Sequence, residues 1–423
     1  MRVLQVHNRY RSSSPGGEDR VVDQERAALS EHGHVVSAFE RRNDDIDEYS
    51  RMRRAMVAGQ AVWSGSARRE LRAAIDAFQP DVVHIHNTFP LLSPSVLYAC
   101  RDRDVPSVVT LHNSRLACAP GDFFRDGHPC HDCLGRPPLP AVRHGCYHSR
   151  AESIPVTLSS TLHTRAWQSL PSAFVFLSAS QREILAPLRL PADRAFVKPN
   201  LIPPDVVQPV AVREPLITYA GRLAPAKGIP LLMRAWDRYV ASGQTGLRLV
   251  IAGSGPLGDE VTAWTARHSS VEAPGMLDRA SCAALVARSR AVIVPSQWQE
   301  TFGLVAIEAM ACGVPPIAPA HGSFPELVRN GRDGVLFEPG SADALARVFQ
   351  EADDQPELFD EYGRNARSTY LERFDPDANV EQLLDIYRFA ITNPRIVAAR
   401  NTFASELGSR RRVSPIDMSA DRN

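Results

Sequence analysis

Pro295-Ser-Gln-Trp-Gln-Glu300-Thr-Phe-Gly-Leu-Val-Ala-Ile-Glu308-Ala-Met-Ala-Cys-Gly313 is the stretch on which the fold turns. The residues that lead into it, Ala291 to Pro295, are short, apolar and β-branched, and read as a buried strand. After Phe302 the pattern becomes helical, opened by Gly303 and stopped by Gly313. Glu300 then falls in the strand-to-helix loop, and Glu308 just over one turn into the helix. The start of that helix offers unpaired backbone N–H groups and the positive end of the helix dipole, both of which favour a phosphate. At 1.5 Å per residue, Glu308 lies about 6–8 Å along the axis from Gly303, which suits the step from a diphosphate to ribose hydroxyls. Glu300, on the loop side, faces whatever hangs off the distal phosphate. The arrangement describes a site for a nucleotide sugar.

Working outward, apolar β-runs alternate with helical stretches, the pattern of parallel α/β sheets. In the first half they are Val3–His7, Val35–Phe39, Val82–His86, Ser107–Leu111 and Ala173–Leu177. In the second they are Leu216–Ala220, Leu247–Ala252, Ala291–Pro295, Pro316–Ala318 and Gly334–Phe337. Between the halves, the proline-rich run from Lys198 to Pro209 sustains neither helix nor central strand and reads as a linker. The expected organisation is an α/β chain of two facing Rossmann-like domains, 1–200 and 210–374, with the site in the cleft between them. A helix at 375–392 crosses back onto the first domain. The tail 401–423, with Arg410-Arg-Arg412 and little apolar content, reads as disordered.

Composition is that of an ordinary globular protein, 44% hydrophobic and 23% charged over 423 residues. The formal net charge is zero, so no global field draws the chain to nucleic acid. No apolar run approaches the roughly eighteen residues needed to cross a bilayer. The N-terminus lacks signal-peptide architecture, and the expected compartment is the cytoplasm. Lys198 and Lys227 are the only lysines among 48 basic residues.

The Glu300–Glu308 run, in its full context, resembles the E-x7-E signature of the retaining glycosyltransferases of family 4, which have the GT-B fold. Tyr219-Ala-Gly-Arg222-Leu-Ala-Pro-Ala-Lys227-Gly228 likewise resembles the family's G-R-x5-K-G element, here with a four-residue spacer. The resemblance implies that Arg222 and Lys227 hold the donor diphosphate and that Thr301, Phe302, Gly303 and Leu304 meet the donor beside Glu300. It also implies that Gly253 and Gly255, in Val250-Ile-Ala-Gly-Ser-Gly-Pro256, line the nucleotide pocket with Gly275 near the base. Gly322-Ser-Phe-Pro-Glu326 matches a further family element but reads equally as a plain helix start. In the first domain, Gly16 and Gly17 of Pro15-Gly-Gly-Glu18 allow backbone N–H groups to approach the donor. His112, at the end of the strand Val108–Leu111, matches the family's histidine at the donor sugar. His86, in Val82-Val-His-Ile-His-Asn87, is expected to face the acceptor side with His112.

Four of the seven cysteines, Cys118, Cys130, Cys133 and Cys146, fall in one Gly-, Pro- and His-rich insertion at about 113–150. Around the C-x2-C pair Cys130–Cys133 they make a candidate structural zinc site, with free thiols or a redox pair as the competing readings. Arg51-Met-Arg-Arg-Ala-Met-Val57 and Trp63 form a candidate face for peripheral contact with an anionic membrane, although Asp44, Asp45, Asp47 and Glu48 precede it. Asp45-Ile-Asp47 reads as surface, and no catalytic metal is expected.

The reaction implied is transfer of a hexose from a nucleotide sugar to a hydroxyl acceptor, with retention, in the building of cell-surface glycans. Glu300 acts either as nucleophile or by positioning the sugar while the acceptor attacks on the leaving-group face; the resemblance favours the second. Two other functions fit the same scaffold. One is a nucleotide-sugar epimerase or hydrolase; the other is a non-catalytic nucleotide-sugar-binding protein. Sugar, base, acceptor and oligomeric state are not legible in the residues.

Overall fold

Each apolar run read as a strand is one in the computed structural model, which describes residues 1–12, 16–202, 210 and 212–395. The first half contains β1 (Arg2–Arg9), β2 (Val35–Arg42), β3 (Val82–Ile85), β4 (Ser107–Leu111), a small hairpin of β5 (Phe124–Arg125) and β6 (His128–Pro129), β7 (Ala173–Phe176) and β8 (Ala195–Val197). Apart from the hairpin these make one parallel sheet in the order β2-β1-β3-β4-β7-β8. The second half contains β9 (Glu214–Ala220), β10 (Arg248–Ala252), β11 (Val271–Gly275), β12 (Ser289–Ile293), β13 (Pro316–Pro319) and β14 (Val335–Phe337). They form a second parallel sheet, ordered β11-β10-β9-β12-β13-β14. Two parallel-sheet α/β domains of Rossmann-like topology result.

The central strands are apolar throughout because helices cover both faces of a parallel sheet. β3 and β4 are buried along their whole length. The strands missed in the sequence are edges: β8 is only half-buried and β11 is mostly exposed, so neither carries an apolar run. Gly275 is therefore the last residue of an edge strand, opposite Ala252, and not part of a free loop. In open sheets the ligand crevice lies where strand order reverses. That point is between β1 and β3 in the first sheet and between β9 and β12 in the second.

The segment joining the sheets packs against both cores over its described part: Leu201 lies with Val3, Val82 and Val108, and Ile202 with Phe302 and Tyr370. The remainder of the linker, 203–209, and the tail from 401 lie outside the described residues. Helix Pro356–Arg373 ends at Phe374, and Asp375 caps the next helix, Pro376–Thr392, by accepting from Ala378 N–H at 2.8 Å. Val380, Leu383, Leu384 and Tyr387, spaced three and four apart, bury that helix against the first sheet. No helix among the described residues is long and apolar enough to cross a membrane.

The expected zinc site is not formed. No three of the sulfurs of Cys118, Cys130, Cys133 and Cys146 lie within 4.8 Å of one another. Cys118 belongs to the packing of the first-domain core, whereas Cys133 and Cys146 pack against a separate small cluster around Ala119, Ala141 and Val156.

Candidate active site

The loops after β9 and β12 meet because glycine lets them. A Cβ on Gly228 would lie 1.8 Å from the carbonyl oxygen of Pro295, so no other residue permits the approach that brings Lys227 beside the loop after β12. Gly253 has the same function one strand over: a Cβ there would meet the Gly221 carbonyl oxygen at 1.8 Å, and one on Gly255 the Leu223 oxygen at 2.5 Å. Both glycines thus pack the β10 loop under the loop that carries Arg222, and Gly253 N–H is tied to Gly275 O at 2.8 Å.

Lys227 Nζ reaches Glu300 Oε1 at 2.6 Å and lies 4.5 Å from the Trp298 ring centre. Glu300 Oε1 also accepts from Ser296 Oγ at 2.8 Å and Trp298 Nε1 at 2.7 Å. Arg222 is exposed, and its guanidinium has no ion-pair partner among the described residues. Gly303, in the left-handed region at φ 80°, opens helix Leu304–Ala311, whose N-terminus has no side-chain cap. Its first N–H groups remain open to a ligand. Phe302 is buried in the core behind the turn. Glu308 is half-buried and pairs with Arg20 of the first domain. Burial pushes its carboxyl pKa up, against the pull of Arg20.

The first domain closes over this group. Gly16 and Gly17 start helix Gly17–Glu31, and a Cβ on Gly17 would sit 3.0 Å from Leu304 Cδ1 across the cleft. Thr301 Oγ1 donates to the backbone oxygen of His112 at 3.0 Å, and Ser178 Oγ to the oxygen of Thr301 at 2.9 Å. Glu326, the acid of the Gly322–Glu326 element, accepts from the backbone N–H groups of Ala179 and Ser180, so it ties the two domains together.

One cavity is consequently lined by Gly16, Gly17, His112, Arg222, Lys227, Glu300 and Thr301 through Leu304. An adjoining one is lined by Arg222, Gly253 and Glu308, with Arg20, Met276 and Leu277. Gly255 is a packing position under Leu223, whereas a Cβ on Gly275 would meet open space.

Residues 206–369 match the family described as "Glycosyl transferases group 1", and residues 15–206 the family described as "Glycosyltransferase Family 4". The chain belongs to glycosyltransferase family 4. The two matches meet at residue 206, within the proline-rich linker. The D-inositol 3-phosphate glycosyltransferase of Gordonia bronchialis is 34% identical over 218 residues, 47% of either chain, so this chain spans about half of that relative. The glycogen synthase of Mycobacterium tuberculosis is 27% identical over 414 residues, covering 89% of this chain and 91% of that one. Among solved structures, sucrose-phosphate synthase from Thermosynechococcus elongatus aligns with a TM-score of 0.67 at 20% identity, over 92% of this chain and 98% of that one. Anabaena HepE, solved with UDP and glucose, aligns with a TM-score of 0.64 at 17% identity, over 91% and 98%. The fold is GT-B, and this family 4 member is a glycosyltransferase.

His86 is buried beside His112, with His86 Nδ1 3.0 Å from His112 Nε2 and the rings stacked at 5.3 Å, and the two histidines line a first-domain cavity together with Asn113 and Arg115. His84 on β3 and His86 just past its end share one face of the strand, and both turn toward Glu25 of helix Gly17–Glu31. Sequence reading missed Arg20 and Trp298. Both were within reach: Arg20 stands one helical turn after the paired glycines, and Trp298 two residues before Glu300.

Proposed function

We propose that the protein is a retaining, metal-independent hexosyltransferase that moves a sugar from a nucleoside diphosphate to a hydroxyl acceptor. The observation that carries this reading is the Lys227–Glu300 pair, set beside an unpaired Arg222 and an uncapped helix N-terminus in one cavity roofed by the other domain. Arg222, Lys227 and the N–H groups of Leu304 and Val305 neutralise the leaving diphosphate, which is the main electrostatic gain available in such a reaction. Glu308 takes the ribose hydroxyls, releasing Arg20. His112 and Glu300 contact the sugar. Three donors already converge on Glu300 Oε1, the Lys227 ammonium among them, and draw charge from it. That suits a carboxylate that orients the sugar better than one that attacks it. The acceptor hydroxyl then attacks the anomeric carbon on the face the diphosphate leaves; the bond from that carbon to the phosphate oxygen breaks, and a phosphate oxygen takes the proton.

The acceptor is expected to be a glycan or lipid-linked glycan of the cell surface, with the first domain lying against the inner face of the membrane. Met52 and Met56 on helix Arg51–Val62, and Ile154, Leu158 and Leu162 on helix Arg150–Leu162, are exposed apolar side chains on helices packed together. Arg51, Arg53, Arg54 and Arg150 flank them. Of the four acids that precede this face, Asp44 accepts from Ser12 and Asp47 pairs with Arg11. Vesicles rich in phosphatidylglycerol should co-sediment the protein, and Met52→Asp with Leu158→Asp should release it; equal binding by the variant would sink this placement.

Proton NMR of the product tests the reaction itself. An anomeric configuration equal to that of the donor is expected, and formation should persist in a chelator. Inversion, or release of free sugar without any acceptor product, would contradict the proposal.

A further inference from the structure

The first domain hides a line of ionisable side chains that meets the cavity shared with Glu300 through His112. Glu25 of helix Gly17–Glu31 is 4% exposed. Its Oε1 lies 3.0 Å from His84 Nδ1 and 3.6 Å from His86 Nε2, and its Oε2 lies 3.9 Å from Lys198 Nζ. His84 Nε2 meets Thr110 Oγ1 at 2.7 Å, and its Nδ1 also meets the hydroxyl of Tyr387, on the helix returning from the second domain, at 2.7 Å. His86 carries the line onward to His112 at the cleft. Glu25, His84 and His86 stand close enough to hold a metal ion, but the Lys198 ammonium already supplies a positive charge beside that carboxylate. Lys198 is one of two lysines in a chain that writes arginine elsewhere, and it is buried.

The protons on this line follow from the contacts. A ring nitrogen turned to a carboxylate carries hydrogen, since a lone pair there would be repelled. Burial alone would raise the Glu25 carboxyl, yet His84 and Lys198 outweigh it and hold its pKa below the usual carboxylate range. His86 Nε2 lies 3.6 Å from this carboxylate, beyond hydrogen-bond length and with no other partner among the described residues, and the negative charge it faces favours hydrogen on that nitrogen. Burial holds the His86 ring neutral, so its Nδ1 is bare. His112 must then donate from Nε2. Its own ring is kept neutral by burial, with a pKa pushed down to about 4, which leaves Nδ1 as a lone pair. That nitrogen is buried and has no partner among the described residues, on a side chain that lines the cavity shared with Glu300.

We propose that Glu25 is a positioning residue: through His86 it fixes His112 as the Nε2–H tautomer, so that His112 offers Nδ1 as an acceptor to a hydroxyl of the transferred sugar. Lys198 and His84 keep Glu25 ionised. The proposal rests on the reading of His112 as a sugar contact, but its first test does not need a sugar.

Full-length protein labelled with 15N-histidine would be examined by long-range 1H–15N correlation, with His86→Gln and His112→Gln assigning the rings. Nε2–H on both rings is expected in the wild type; Nδ1–H on His112 would overturn the proposal, and this outcome needs no variant to fold. In Glu25→Gln the His112 ring should shift to a mixture of tautomers; an unchanged ring would also overturn it. With a donor in hand, Glu25→Gln should lower kcat about tenfold or more with donor KM within about twofold, and should add nothing in a His112→Ala background. The same loss in both backgrounds would mark Glu25 as merely structural. If no nucleotide sugar turns over, the proposed function fails while the tautomer result stands.

Discussion

Lys227 and Lys198 each pair with a glutamate, in opposite surroundings. Lys227 lies in the second domain, about a third exposed, 2.6 Å from Glu300 in an open cavity. Lys198, at the end of the first domain, is 3% exposed and 3.9 Å from the buried Glu25. In the proposed reaction the first pair exchanges partners: the ammonium would leave Glu300 for a donor diphosphate at little desolvation cost. The second pair cannot, because a separated charge in that interior would cost several kcal/mol. The cleft thus joins a half built to release its charges to a ligand and a half built to hold its charges still. The Arg20–Glu308 bridge belongs to the first kind, although it spans both domains.

Breaking the fixed half should cost the most stability. Lys198→Met leaves Glu25 without its cation and should destabilise the fold by about 3–5 kcal/mol in urea unfolding, with Glu25→Gln added to it restoring part of the loss. A loss below about 1 kcal/mol would erase the distinction. In the exchangeable half, Lys227→Ala should leave stability nearly unchanged but lower kcat about 10²–10³-fold, the usual effect of deleting one group that stabilises developing charge. Thermal melts beside steady-state rates would separate the two behaviours.

The buried histidines give the contrast a pH signature. His112 has its pKa depressed from 6.5 to about 4 in the fold. The unfolded chain therefore binds more protons between those values, and stability present above pH 6.5 is lost as pH falls toward 4. At about 1.4 kcal/mol per pKa unit this amounts to roughly 3 kcal/mol. His112→Gln should flatten the stability–pH curve in that window, as read by urea unfolding at several pH values; an unaltered slope would show that the ring is not held neutral. The smallest effect is expected for Arg20→Ala. The ion pair is partly solvated, so unfolding should change by less than about 1 kcal/mol, while donor affinity changes more.

The exchangeable half was legible in the sequence because its residues sit in contiguous loops whose glycines and charges are fixed by local geometry. Arg222, Lys227, Glu300 and Glu308 are brought together by two strand ends at one reversal of sheet order. The fixed half was not legible. Glu25, the His84–His86 pair, Lys198 and Tyr387 come from four separate parts of the chain, and no spacing joins those parts. His84 and His86 stand two residues apart, so strand alternation puts both on one face, and both turn toward Glu25. The cysteines misled for the reverse reason: nearness in sequence suggested a common ligand set, and the fold sends Cys118 into a different cluster. Edge strands β8 and β11 carried too few apolar residues to stand out.

Thermal stability measured against a panel of nucleoside diphosphates, for wild type and Lys227→Ala side by side, tests most directly whether the second-domain charges form a donor site. At about a hundred times its dissociation constant, the correct diphosphate should add roughly 2.7 kcal/mol to the wild type and distinctly less to the variant. Equal stabilisation of both proteins, or none of the wild type by any nucleotide, would contradict it.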